Sequence, residues 1–396
     1  MSESPLFVCG PSRSPIGKFG GGLSTLMPAD LSVPVAQAAM QRAGVDPAVV
    51  DETIWGHGRQ AGGGPNTARQ VAIRSGIPKE STAYTVNKAC GSSLFAIVQA
   101  ARTIRLNEAS VILAGGAESM SNTPYMLPRA RWGYRMGNAE IIDGMYRDGF
   151  FCPLADQLMG ATAETLADQY SISRAEQDQF AESSQQKAGA AIEGGAFDGE
   201  LVPIDVPGRR GAVTTITADE HPRPDSTVAM MQKLKPVFRS EGGTVHAGNS
   251  SGVTDGAAAL VVASAEAAEA HGLCPVAKIV GWAAAGVGPE VMGLGPVPAT
   301  QKLLSQTGYA LSDIDLIELN EAFAAQVIAC DRELKLDPSR LNVHGGSIAL
   351  GHPIGATGCR IAVTLLHAMQ QREAKLGLAT LCISGGMGLS VLFERV

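Results

Sequence analysis

Cys90 stands between an apolar stretch, Ala83 to Val86, and a segment whose Leu94, Ile97, Val98 and Ala101 share one helical face. A cysteine at such a strand-to-helix turn meets free amide groups and the positive end of the helix dipole. Both favour the thiolate, its nucleophilic form. His352 lies in Gly351-His-Pro-Ile-Gly-Ala-Thr-Gly, ahead of a second amphipathic segment carrying Ile361, Leu365, Ala368 and Met369. An imidazole brought to the thiol takes its proton and activates it. Cys382 closes the run Ala379-Thr-Leu-Cys-Ile and precedes Ser384-Gly-Gly-Met-Gly, a stretch that lets backbone approach a ligand and present amide donors. Asn320 opens Asn-Glu-Ala-Phe-Ala-Ala-Gln at a strand-to-helix junction, where asparagine is also an ordinary N-cap. Taken singly, each has a plain structural reading: a buried small hydrophobe for the cysteines, a loop residue for the histidine.

The elements that must position these residues are duplicated. Pro34 to Gly44 leads to Asp51 and Ile54, and Pro298 to Gly308 leads to Asp315 and Ile317, with the same proline-to-glycine and glycine-to-aspartate intervals. Each copy reads as a helix closed by glycine and followed by a strand. Both copies then run strand, loop, helix, strand, ending in Val111-Ile-Leu-Ala and Ala379-Thr-Leu-Cys-Ile. Stacked repeats would bring the turns of Cys90 and His352 toward a common centre. Near-continuous apolar strands predict buried, mostly parallel sheets covered by helices. In the second copy Ser384-Gly-Gly-Met-Gly turns directly into a closing strand, Leu389 to Phe393. In the first, Gly115-Gly116 is separated from the comparable strand, Ala257 to Ala263, by a more polar stretch, so residues 119–248 read as an insertion. The insertion carries a capping-box helix start at Ser173-Arg-Ala-Glu176 and Pro203, Pro207, Pro222 and Pro224, which favour irregular segments.

The chain has 396 residues, 45% of them hydrophobic, enough for more than one compact unit. A formal net charge of -7, with 17% charged residues and no basic block, argues against nucleic acid as a partner. No apolar run approaches the roughly 18 to 20 residues that span a bilayer. The start, MSESPLFVCGPSRSP, shows neither a basic flank nor an apolar signal core. Seven scattered cysteines without a Cys-x-x-Cys spacing suggest neither a disulfide framework nor a zinc ribbon, and fit a reducing cytoplasm.

Together the segments VNKACGSSL around Cys90, AGGAESMS from Ala114, AGNSSG from Ala247, NEAFAAQ from Asn320, NVHGGSIALGHPIGATG around His352 and CISGGMG around Cys382 closely resemble the thiolase family, in family order, from Leu6 to about Arg395. The resemblance implies a duplicated α/β/α/β/α layered core: residues 1–118 with 249–271 as one half, 272–396 as the other, and 119–248 as an inserted loop domain. It implies acyl exchange with acetyl-CoA, acetoacetyl-CoA or another 3-ketoacyl-CoA, with coenzyme A as substrate or product, no permanently bound cofactor and no metal. It implies a homotetramer or homodimer. Cys90 becomes the acylated nucleophile, His352 its activator, and Cys382 the group that exchanges a proton with the substrate methyl carbon. Asn320 holds a water beside His352 in one oxyanion hole, and the amides of Cys90 and Ser384 form the other. Ser251, Met159, Met292 and Phe323 match positions along the acyl and pantetheine path, and Arg223 the adenine nucleotide end.

Two positions depart from the short-chain biosynthetic pattern. Ser384 stands where glycine is usual, and Leu158 where a histidine commonly precedes Met-Gly. Acetyl-CoA C-acetyltransferase activity is the expectation, with a degradative 3-ketoacyl-CoA thiolase of longer or broader chain preference as the alternative. A β-ketoacyl synthase shares the architecture, but its partner groups differ from a second active cysteine. A catalytically silent acyl-CoA-binding subunit is the reading from another class.

Overall fold

The first half of the chain forms β1 (Leu6–Arg13), α1 (Pro28–Ala43), β2 (Glu52–Gly56), α2 (Thr67–Arg74), β3 (Thr82–Val86), α3 (Ser92–Arg105) and β4 (Val111–Ser119). A long excursion containing α4 (Met159–Gln169) and α5 (Arg174–Glu193) precedes β5 (Thr254–Ser264). The second half forms β6 (Pro275–Gly286), α6 (Pro296–Thr307), β7 (Leu316–Leu319), α7 (Ala324–Leu334), α8 (Ser347–Leu350), α9 (Ile354–Gln371), β8 (Leu376–Ile383) and β9 (Met387–Arg395). The structure is a computed structural model describing residues 4–396. Met1–Glu3, the start of the segment read above as lacking a signal core, lie outside the described residues.

The strands make one sheet in the order β3-β2-β4-β5-β1-β6-β9-β8-β7, with the short strand Gly17–Lys18 beside β5. In the first half β2 is parallel to β3 and β4, β4 antiparallel to β5, and β5 antiparallel to β1. The second half repeats this: β7 is parallel to β8, β8 antiparallel to β9, and β9 antiparallel to β6. A bridge between Ile317 and Leu341 stands where β3 stands in the first half. The expectation of mostly parallel sheets is thereby corrected. β8 returns to β9 through residues 384–386 alone, too short a link for the crossover that a parallel neighbour needs. Apolar runs report burial on both faces, which does not encode strand direction.

Matching residues do matching work in the two halves. The Asp51 carboxylate accepts the N–H groups of Ser110 and Val111 (2.7 and 2.9 Å) at the start of β4. That of Asp315 accepts those of Lys375 and Leu376 (2.8 and 2.9 Å) at the start of β8. Gly44 and Gly308 close α1 and α6 in the left-handed region, at φ 71° and 76°. α1 begins at Pro28, earlier than the Pro34 of the repeat, which lies inside the helix.

Five layers result. Leu31 and Val35 of α1 and Val71 of α2 pack with Trp55, Leu113 and Val261 on one outer face. Leu303 of α6 and Val327 of α7 pack with Ile317, Leu378 and Leu392 on the other. Between the half-sheets lie α3 and α9, whose Leu94, Ile97, Ile361 and Leu365 meet Ile54, Ile112 and Leu260 of one half and Leu381, Val391 and Phe393 of the other. A helix in that position must be apolar nearly all round, and α9 is buried along almost its whole length. The two central helices cross at their starts, where Gly358 leaves room for the Leu94 backbone and the Cys359 N–H donates to Ser93 Oγ at 2.8 Å.

In the excursion, α5 starts at the expected capping box, with Glu176 Oε2 accepting from the Ser173 N–H at 2.7 Å. Among the described residues no helix is long and apolar enough to cross a membrane, and all seven cysteines are unpaired.

Candidate active site

Cys90 and His352 occupy the same station in the two halves, each two residues before its central helix, α3 or α9. Between β3 and α3 the chain turns sharply through Ala89, at φ 45°. A left-handed alanine costs on the order of 1–2 kcal/mol. The turn is held by Ser92, whose Oγ donates to Ala89 O (2.6 Å) and accepts from the Lys88 N–H (2.9 Å). Cys90 is left half-buried on a cavity of about 290 Å³.

That cavity also takes in His352, Cys382, Ser384, Ser251, Met159, Met292 and Phe323, so the structure brings most of the sequence-predicted residues together. Leu158 lines it too. Arg223 does not: its backbone N–H donates to Gln185 Oε1 at 2.7 Å, while the nearby His221 ring sits against Gly252, beside Ser251.

Burial pushes the Cys90 thiol up, against the lowering pull of the Ser384 backbone N–H, of Arg59 and of its own N–H. The resting group is therefore a thiol. The amides favour the thiolate, as expected of this turn, but loss of water around the sulfur outweighs them. Activation needs a base.

His352 is built as that base. Its Nδ1 lies 2.5 Å from Thr357 Oγ1, and the Thr357 hydroxyl donates its one proton to Pro353 O at 3.0 Å. Thr357 can then only accept from His352, which fixes the proton on Nδ1 and leaves the lone pair on Nε2. Nε2 is buried and has no protein partner. Burial, with Arg360 and Arg59 adding to it, lowers the His352 pKa to about 3, so the ring is neutral. An unfolded chain protonates this histidine near 6.5. Between these values the unfolded state binds the extra proton, so stability falls as the pH drops through that window. Denaturant unfolding at pH 7.5 and pH 5 is expected to show wild type losing about 2 kcal/mol more than His352→Gln. Equal losses would contradict the buried neutral ring.

Asn320 is not a helix cap, since α7 begins only at Ala324. Its Oδ1 accepts from Ser347 Oγ at 2.6 Å, and Arg360 Nη2 donates to the same Ser347 oxygen at 2.8 Å. This fixes the amide and leaves Nδ2 buried without a partner, as a donor waiting for a water needs to be. Cys382 is buried near the end of β8. Burial, then the neighbouring Cys90 sulfur, raises its thiol well above the ordinary range. Past it, Ser384 leads into Gly385 and Gly386, at φ 86° and 85°, and its amide is thereby turned toward Cys90.

The sequence reading missed three contributors. Thr357 lies within the His352 motif, but its role depends on which oxygen takes its proton. Glu118, inside AGGAESMS, accepts the N–H groups of Gly58, Arg59 and Gly355 (3.2, 3.1 and 2.9 Å) and so ties the first half to the start of α9. Arg59 lines the cavity from a loop with no motif of its own.

The sequence matches the family description "Thiolase, N-terminal domain" over residues 6–266 and "Thiolase, C-terminal domain" over residues 273–395. The chain belongs to the thiolase family. This thiolase is 50% identical over 384 residues to the acetyl-CoA acetyltransferase of Pseudomonas aeruginosa, covering 97% of this chain and 98% of that one. It superposes on the crystal structure of the Bacillus anthracis acetyl-CoA acetyltransferase with a TM-score of 0.97 at 45% identity, covering 100% and 99% of the two chains. With human mitochondrial 3-ketoacyl-CoA thiolase in complex with CoA, the TM-score is 0.95 at 41% identity over 99% and 98%. The thiolase is accordingly an acyltransferase with a layered α/β core.

Proposed function

We propose that the protein is an acetyl-CoA C-acetyltransferase, reversibly joining two acetyl-CoA into acetoacetyl-CoA and coenzyme A through an acetyl group on Cys90. The observation that carries this reading is one cavity holding a thiol, the bare His352 Nε2 and a second thiol, Cys382. The naming of the 50%-identical relative supports it.

In cleavage, His352 Nε2 takes the Cys90 proton and the thiolate attacks the 3-keto carbon. The carbon–carbon bond breaks, and its electrons pass to the departing acetyl-CoA carbanion, which takes the Cys382 proton. The proton on His352 passes to the Cys382 thiolate, which frees Nε2 to take the thiol proton of coenzyme A. The coenzyme A thiolate attacks the acetyl group on Cys90, and the departing Cys90 sulfur takes that proton from Nε2 as acetyl-CoA is released. Condensation is the reverse, with a Cys382 thiolate removing the methyl proton. Both cysteines rest as thiols, which matches the cleavage direction: Cys90 needs a base, and Cys382 must hold a proton to give. Negative charge on the thioester oxygen meets the amides of Cys90 and Ser384, and charge on the second oxygen meets protonated Nε2 and a water on Asn320 Nδ2. Each such donor is worth roughly 3–4 kcal/mol in comparable chemistry.

Thiolysis across a series of uncharged 3-ketoacyl-CoA chain lengths tests the substrate. The highest kcat/KM is expected for acetoacetyl-CoA; a strong preference for medium chains would move the protein to the degradative branch. Ser251, Met159, Met292 and Phe323 are assigned to the acyl and pantetheine path, and Arg223, outside the cavity, to the adenine end of coenzyme A. The domain division is residues 1–118 with 249–271, 119–248 and 272–396. A cytoplasmic homotetramer or homodimer completes the proposal. It is supported by unpaired cysteines, by β3 at a sheet edge, and by exposed Tyr125, Leu127, Trp132 and Met136 in the excursion. Sedimentation as a monomer would overturn the assembly.

A further inference from the structure

Arg360 is 1% exposed in the central layer, in the second turn of α9, the helix that follows His352. A guanidinium buried in this way is costly unless its donors are well paired. This one is paired poorly. Its Nη1 reaches Glu318 Oε2 only at 3.5 Å, and its Nε has no partner. The other buried acid whose charge reaches it, Glu200, is engaged elsewhere: its Oε1 accepts from Arg13 Nε and from Thr364 Oγ1. The short bond from the guanidinium goes to Ser347 Oγ, at 2.8 Å.

That bond dictates the direction of the next. A guanidinium can only donate, so the Ser347 oxygen accepts from it and the hydroxyl proton is left for Asn320, 2.6 Å away. A proton arriving there needs an acceptor. The Asn320 amide must therefore turn Oδ1 to Ser347 and Nδ2 the other way, where Nδ2 is buried without a partner. Among the described residues Ser347 is the sole hydrogen-bond partner of the Asn320 side chain, so nothing else sets its direction. The two ends of an amide are nearly alike in size, and packing distinguishes them poorly. Without the charge, the hydroxyl is free to accept from Nδ2, and a reversed amide sets a carbonyl where the oxyanion water needs a donor.

We infer that Arg360 is a positioning residue for the carbon–carbon step: acting through Ser347, it holds the Asn320 amide with its donor end toward the oxyanion site. This role rests on the proposed reaction, in which charge on the second oxygen meets His352 Nε2 and the water on Asn320. Arg360 touches no substrate and takes part in no bond change. Acyl transfer to Cys90 draws on His352 and the amides of Cys90 and Ser384, and does not depend on the direction of the Asn320 amide.

The test reads two rates on each preparation: exchange of labelled coenzyme A into acetyl-CoA, which needs acyl transfer alone, and thiolysis of acetoacetyl-CoA, which also breaks the carbon–carbon bond. Arg360→Met is expected to lower the ratio of thiolysis to exchange by about 10- to 100-fold, in kcat more than in KM, approaching the loss of an oxyanion donor. Arg360→Lys is expected to recover part of it. Ser347→Ala removes the link while leaving the charge, and is expected to lower the ratio similarly. The double variant is expected to fall no further than the lower single variant. Were Arg360 merely structural, both rates would fall together with the folded fraction and the ratio would hold. A held ratio in Ser347→Ala, which decides the matter should Arg360→Met not fold, or losses that add in the double variant would overturn the inference. Neutron crystallography of deuterium-exchanged wild type and Arg360→Met separates this inference from the proposed reaction, because it tells the deuterated nitrogen from the oxygen without any turnover. Nδ2 turned away from Ser347 in wild type and reversed in a measurable fraction of the variant supports the positioning role even if no acetoacetyl-CoA is cleaved. The same orientation in both proteins would remove it even if acetoacetyl-CoA is cleaved.

Discussion

Replacing Cys90 with alanine is expected to lower acetoacetyl-CoA thiolysis by at least about 10,000-fold, because no other group on the cavity can carry the acyl intermediate. Cys382 is the nearest candidate, but it is buried and its thiol is raised well above the ordinary range by burial and by Cys90 itself. The variant keeps the sharp turn, since Ser92 holds Ala89 and Lys88 without any help from the sulfur. Incubation with acetyl-labelled acetyl-CoA, followed by peptide mapping, should place the label on Cys90 in wild type and nowhere in Cys90→Ala. Labelling of neither protein would favour the silent acyl-CoA-binding reading.

Cys382→Ser separates the two halves of the reaction. Acylation of Cys90 uses His352 and the two amides, so exchange of labelled coenzyme A into acetyl-CoA should persist at a substantial fraction of the wild-type rate. Forming or breaking the carbon–carbon bond also needs a proton moved at the methyl carbon, and a serine hydroxyl is far too weak an acid for that. Condensation and thiolysis are expected to fall by about 1,000-fold, within the range that positioned acid–base groups contribute. If exchange fell as far as condensation, Cys382 would be acting on the acyl transfer and not on the carbon.

Much of this site was legible because its residues lie in short glycine-rich turns beside strongly periodic segments. Cys90, His352 and Cys382 could each be placed at an element boundary, and the repeat predicted that the first two would meet. What escaped were properties set by distant parts of the chain. A helix end is local and its pull on a thiol can be foreseen, whereas loss of water around Cys90 depends on how both halves close over it. Asn320 looked like a cap because the helix after it was expected to start at once; the turn through Glu321 and Phe323 delays that start. Arg59 gave no signal, since an arginine in a glycine-rich loop normally reaches solvent, and only Phe150 and Gly149 folding over it show otherwise. Strand direction went wrong for a related reason: burial of Val111 to Ala114 is the same whichever way its neighbours run.

The shared central layer has one more consequence. α3 and α9 each touch both half-sheets, so a chain severed between β5 and β6 would expose an oily flank on each fragment and leave the sulfur on one and the imidazole on the other. Neither fragment is an enzyme in waiting. The peptide at residues 265–274 works as a tether between two mutually dependent partners, and fragments made separately should regain turnover only as they find one another, with second-order kinetics.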